Sequence, residues 1–171
     1  MDLLNVLIST SRKPSQKTRK FCKNLSHAFD YDYVNRGKSS IRDLLVKSKE
    51  LGLVGVLLVY EIKGNPSKLT FLSEKGDEEL SILISAETAN ERLHIKPQDL
   101  KIKNDFPDLK PLADLLGFEV VDDNNLNANF LHFRPADDFE LDEGRIAVID
   151  FYNKREEKIN LQINVKKIVI N

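Results

Sequence analysis

Residues 54–60, VGVLLVY, constrain the fold more than any other stretch of the chain. The run is short, rich in β-branched residues, and has no polar side-chain group before the Tyr60 hydroxyl. It does not alternate, so it reads as a strand that must be covered on both faces. A sheet with packed layers is therefore required. Gly52 precedes the run and KGNPS follows it, and residues 68–73 read as the returning antiparallel strand.

The rest of the chain fits around that strand. Residues 4–9 form a short apolar strand candidate, and Pro14 is suited to the first helical position, which needs no N–H donor. Phe21, Leu25 and Phe29 recur every four residues beside Cys22 and Ala28, which predicts one apolar helix stripe. Lys13, Lys17, Lys20 and Asn24 mark a second stripe, flanked by Arg19 and Lys23. Residues 32–35 are a short strand candidate. A helix follows over 41–51, capped by Ser39 or Ser40 and stopped at Gly52. Residues 80–85, 118–121, 129–133, 145–152 and 158–170 carry strand signals, and 108–116 a helix signal ended by Gly117. In the last strand Ile159, Leu161, Ile163 and Val165 alternate with Asn160, Gln162, Asn164 and Lys166. The expected fold class is α/β, a mixed sheet with packed helices.

A length of 171 residues suits one domain, or one domain of two similar halves. No apolar run is long enough for a membrane helix. The N-terminal run lacks a basic segment ahead of it and reads as a strand, not a signal peptide. Cys22 stands alone, which excludes an internal disulfide and fits a reducing, intracellular setting. His27, His94 and His132 lack metal-ligand spacing, and no nucleophile elbow, zinc-protease motif or Walker loop is present. Asp122/Asp123 and Asp137/Asp138 read as solvated acidic loops. No catalytic residue, metal site or cofactor is expected.

Charge is the informative property. The net charge is −1, yet residues 1–50 hold 11 Lys/Arg against 5 Asp/Glu. Between Asp105 and Glu143 there are 11 acidic residues, with Lys110 and Arg134 the only Lys/Arg. Three cationic turns, TSRKPSQKTRK, NRGKSS and IKGNPSK, each adjoin a strand, so all can lie along one sheet edge. Lysine and arginine there suit phosphate, Ser11, Ser15 and Ser39 can donate to its oxygens, and two helix N-termini add N–H groups and dipole.

Three segments, LISTSRKPSQKTRKFCKNL, YVNRGKSSIRDL and GVLLVYEIKGNPSKLTF, resemble the N-terminal signature of Brix-domain proteins, in the same order. Within that family they are most similar to the branch that includes a subunit of the small-subunit processome, and to its short archaeal relatives. The likeness spans residues 5–72 and includes S-R-x-P-S, T-R, R-G-K and K-G-N-P-S. NFLHFRPADD is similar to the family's F-R segment, whereas the later glycine-proline-arginine element is not visible. The resemblance implies one domain over 1–171, with pseudo-symmetric halves of about 1–85 and 86–171. Each half would be similar to the anticodon-binding domain of class IIa tRNA synthetases. It further implies a non-catalytic ribosome biogenesis role. The partners would be ribosomal RNA or its precursor, ribosomal proteins and other assembly factors, in the cytoplasm. The candidate RNA-binding residues are Ser11, Arg12, Lys13, Ser15, Lys17, Arg19, Arg36, Lys38, Lys63 and Asn65. The alternative is an adaptor that meets protein partners through its acidic or basic surfaces, without touching RNA.

Overall fold

The computed structural model describes residues 5–88, 100–122 and 128–171. The elements run β1 (Leu7–Thr10), α1 (Gln16–Phe29), α2 (Ile41–Glu50), β2 (Val56–Ile62), β3 (Asn65–Leu72), β4 (Glu78–Thr88) and β5 (Lys101–Asn104). A 3-10 turn (Pro107–Leu109) leads into α3 (Lys110–Leu116). Then come β6 (Glu119–Val120), β7 (Phe130–Pro135), α4 (Asp138–Asp142), β8 (Ala147–Tyr152) and β9 (Lys158–Ile170).

These strands form one mixed sheet in the order β1-β2-β3-β4-β9-β8-β7-β5-β6. β1 pairs with β2 in parallel, as β5 does with β6 and β7, and the remaining pairs are antiparallel. The long antiparallel ladder of β4 with β9, from Leu80↔Ile170 to Thr88↔Leu161, joins the two ends of the sheet.

Both faces of β2 are buried, as its apolar run requires. Leu57 and Val59 join the main core with Phe21, Cys22 and Leu25 of α1 and Leu112 and Leu116 of α3. Val56 and Leu58 face the other way and pack with Leu7, Leu72 and Leu44 of α2. A fully buried Leu or Phe of this kind contributes about 1.5–3 kcal/mol. Gly55 makes the close approach possible: a Cβ there would stand 2.3 Å from the Leu72 carbonyl oxygen.

Away from α2, the second face of the sheet carries buried polar groups joined across strands. Asn164 donates to Ser85 (3.1 Å), Gln162 to Asn164 (2.8 Å) and Lys158 to Gln162 (2.8 Å). Lys158 also lies 3.2 Å from Asp150. Arg134 donates through Nε to Asp150 (2.8 Å) and through both Nη atoms to Glu140 of α4 (2.8 and 3.0 Å). The Arg134 hydrogen bonds outweigh burial and hold the Glu140 carboxyl at about 2.

Several expectations are corrected. Pro14 does not open α1; it precedes the N-cap, Ser15, whose hydroxyl accepts from the Thr18 N–H (3.1 Å). Residues 32–35 form no strand but a single bridge, Tyr33 to Ile8, along the β1 edge. β5 and α4 were not expected. In β5 the buried apolar residue is Ile102, set between Lys101 and Lys103, too little for a sequence signal. α4 is five residues long, yet its capping box, Asp137 with Glu140, is present in the letters D-x-x-E. Leu4, His94 and Asp123 fall outside the described residues.

Candidate nucleic-acid interface

The three cationic turns meet at one end of the sheet, because parallel strands β1 and β2 end side by side there. The pairing Thr10↔Val59 closes the register, and Ser11 N–H continues it to the Val59 carbonyl (3.0 Å). The chain after β1 turns through Lys13, at φ 54, and enters α1. Beyond β2 it reverses through Lys63 and Gly64, at φ 51 and 78, a two-residue hairpin with both central residues left-handed.

Glu61 locks these two turns together. Its carboxylate accepts from the Ser15 N–H (3.0 and 3.3 Å) and from the Thr18 hydroxyl (2.5 Å). Burial works to raise this carboxyl. The hydrogen bonds from Thr18 and Ser15, with Arg19 nearby, outweigh burial and hold it below its ordinary value. Ser15 donates its hydroxyl to the Gly64 carbonyl (2.8 Å), and Lys17 reaches Asn65 Oδ1 (2.7 Å). The third turn is tied in by Arg36, which donates to the Ser39 carbonyl (2.6 Å) and the Thr10 carbonyl (2.9 Å).

This geometry divides the candidate residues. Arg36 is only 7% exposed, and burial, followed by the nearby Arg12, lowers its pKa. It fastens the turn rather than projecting from it. Ser15 is likewise committed as helix cap. Arg19 folds back onto the Pro14 carbonyl (3.1 Å), and Asn65 holds Lys17. Arg12, Lys13, Lys38 and Lys63 are exposed, and none forms an ion pair among the described residues. Ser11 is half-buried beside them.

The helix N-termini differ from expectation. Glu61 occupies that of α1, and Asp43 that of α2 through a capping box with Ser40 (2.9 and 3.0 Å). An internal carboxylate is therefore bound at the N-cap N–H of each helix, where it offsets part of the positive end of the helix dipole.

The basic surface continues along α1. An open groove of about 950 Å³ is lined by Lys17, Arg19, Lys20, Lys23 and His27, with Gln16, Asn24 and Thr88. Lys23 and His27 extend the candidate set; Lys23 lies six and three residues after Lys17 and Lys20, and His27 ten and seven, spacings legible on a helix. Asn24, expected on the wet stripe, is 2% exposed and donates to the Thr88 hydroxyl (2.7 Å). Among the described residues no three His, Cys, Asp or Glu side chains gather as metal ligands. No described helix is long and apolar enough to cross a membrane.

A mixed α/β sheet with a cationic end is the class of molecule this defines, and comparison with known proteins places it further. A protein of Methanothermobacter thermautotrophicus named "Probable Brix domain-containing ribosomal biogenesis protein" is 37% identical over 123 residues, 72% of this chain and 77% of that one. The crystal structure of Mil, an archaeal Imp4-like protein, matches with a TM-score of 0.81 at 27% identity, covering 97% of this chain and 100% of that one. A "probable ribosomal biogenesis protein" of Aeropyrum pernix K1 shares the fold at a TM-score of 0.75 and 18% identity, over 95% and 96% of the chains. No protein-family model matches. The chain belongs to the Brix domain-containing ribosomal biogenesis proteins, with archaeal relatives.

Proposed function

We propose that this chain is a non-catalytic ribosome biogenesis factor that binds ribosomal RNA or its precursor through the basic end of the sheet. The observation that carries the reading is the convergence of Arg12, Lys13, Lys38 and Lys63, exposed and without ion-pair partners among the described residues, on one rigid corner. The nearby carboxylates Glu61 and Asp43 support a binding role without catalysis, since each is engaged as a helix cap. The proposal extends to one domain over 1–171, acting in the cytoplasm. Its halves of about 1–85 and 86–171 would each be of the class IIa anticodon-binding type. Strand order supports the halves: β1-β2-β3-β4 from one edge corresponds to β5-β7-β8-β9 counted inward from β6 at the other, parallel and antiparallel pairs included.

The test is salt-dependent binding. Arg12→Gln, Lys13→Asn and Lys63→Asn together should lower the slope of log affinity against log salt by about 0.7–0.9 per lost phosphate contact. Asparagine is chosen at the two left-handed positions because it tolerates them. An unchanged slope in a folded triple variant refutes the assignment.

A second reading, the protein adaptor, is favoured by α4. Phe139 and Leu141 are 68% and 52% exposed there, among Asp137, Asp138, Asp142 and Glu143. Partners that remain bound after nuclease treatment and are lost with Phe139→Ser support it.

A further inference from the structure

We infer that the basic surface takes the sugar-phosphate backbone of double-helical RNA and not the unpaired bases of a single strand. The inference rests on the RNA-binding reading above and adds the form of RNA.

Single strands are held by aromatic platforms on which bases stack, and read by amides and hydroxyls on their edges. Among the described residues no aromatic platform is open on this surface, and most of the edge-reading groups are engaged. Phe21 and Phe29 of α1 are in the core. The Tyr60 ring carries Lys68 Nζ 4.3 Å from its centroid. Tyr33 is half-buried, and its hydroxyl donates to Asn35 (3.0 Å). Among the described residues the large, exposed aromatic side chain is Phe139, which stands on acidic α4. Three of the edge-reading groups are engaged, Asn24 with Thr88, Asn65 with Lys17, and Ser15 with Gly64 and Thr18, which leaves the half-buried hydroxyls of Ser11 and Ser39. Gln16 is left as an exposed amide beside a row of cations.

What the surface does offer is fixed charge. Lys17 and Lys23 ride on one helix, about 9 Å apart along its axis. Arg12, Lys13 and Lys63 continue the positive surface past the helix start, on turns pinned by Glu61. A rigid row of cations gains most from a rigid polyanion of high charge density, which releases more counterions per contact. A flexible strand must be ordered to follow it and receives no stacking in return.

The experiment compares the intact chain's affinity for two probes with equal numbers of phosphates. One is a blunt RNA duplex of about 16 base pairs, and the other an unstructured CAA-repeat RNA strand. The duplex is expected to bind at least fivefold tighter at matched salt, with less than twofold change when its sequence is permuted. Tyr33→Leu and Tyr60→Leu should leave duplex affinity within twofold. A smaller or reversed preference, or a tenfold loss in either tyrosine variant, overturns the inference while RNA binding stands. If neither probe binds with salt-dependent affinity, the RNA-binding reading itself fails.

Discussion

Glu61→Ala is expected to make the protein less stable and a better RNA ligand at once. The carboxylate ties the Ser15 N–H and the Thr18 hydroxyl at the start of α1. Hydrogen bonds to a charged group are each worth about 1.5–3 kcal/mol. Glu61 is half-exposed, so water replaces part of what is lost, and a net cost of about 1.5 kcal/mol follows. For a chain of this size that is a fall in Tm of about 3–6 °C. Removing the same negative charge from among the cations takes away a repulsion with incoming phosphate of about 0.7 kcal/mol at roughly 6 Å in water. Screening reduces this, leaving about a two- to threefold gain in affinity. Calorimetric unfolding and RNA titration at one salt concentration give both numbers. The pH dependence fixes the sign. The folded carboxyl lies below its ordinary value, so its stabilisation is complete above about pH 4.3. It is lost as pH falls through the folded value. The stability gap between wild type and variant should therefore close in acid and stay constant toward neutrality. Unchanged Tm would show that Glu61 is not the lock between the two turns, and weaker RNA binding by a folded variant would refute the claim that its charge opposes phosphate more than its bonds organise the turns.

Two further outcomes test the framework around the site. Gly55→Ala should cost more than about 3 kcal/mol in urea unfolding, because the added methyl meets the Leu72 carbonyl at 2.3 Å on a backbone at φ 144. Arg134→Met should cost about 3 kcal/mol by leaving Glu140 and Asp150 buried without their main partner, even with Lys158 and Arg145 nearby. The combination with Glu140→Gln and Asp150→Asn should recover most of that loss, as measured by calorimetry. A triple variant no more stable than the single one refutes the clamp.

The framework was legible wherever one element's own letters decide it. VGVLLVY required cover on both faces, and Phe21, Leu25 and Phe29 required a helix against the sheet; the two observed core clusters meet both demands. The alternation of Ile159, Leu161, Ile163 and Val165 marked β9 correctly. Its opposite face looked solvated because it is polar. Yet Gln162 and Asn164 are 8% and 1% exposed, in a chain of bonds that reaches Ser85 of β4 through Asn164 and Asp150 of β8 through Lys158, neighbours that no sequence window contains.

The site divides along the same line. The letters locate three cationic turns beside strands, and parallel pairing of β1 with β2 brings them together. They do not say which cations face outward. Arg12 and Arg36 look alike in sequence, each next to a lysine or glycine in a turn. Arg36 is drawn inward because it donates to both the Thr10 and the Ser39 carbonyls, at a strand end and in a turn. Arg12 makes no such bond among the described residues and stays at the surface. Glu61 escaped notice for the same reason: it is an isolated acid in the letters of a basic segment, and only the docking of α1 on the β2–β3 hairpin makes it a helix cap. Its carboxylate sets one negative charge among the cations of the corner, whose exposed charge is carried by side chains.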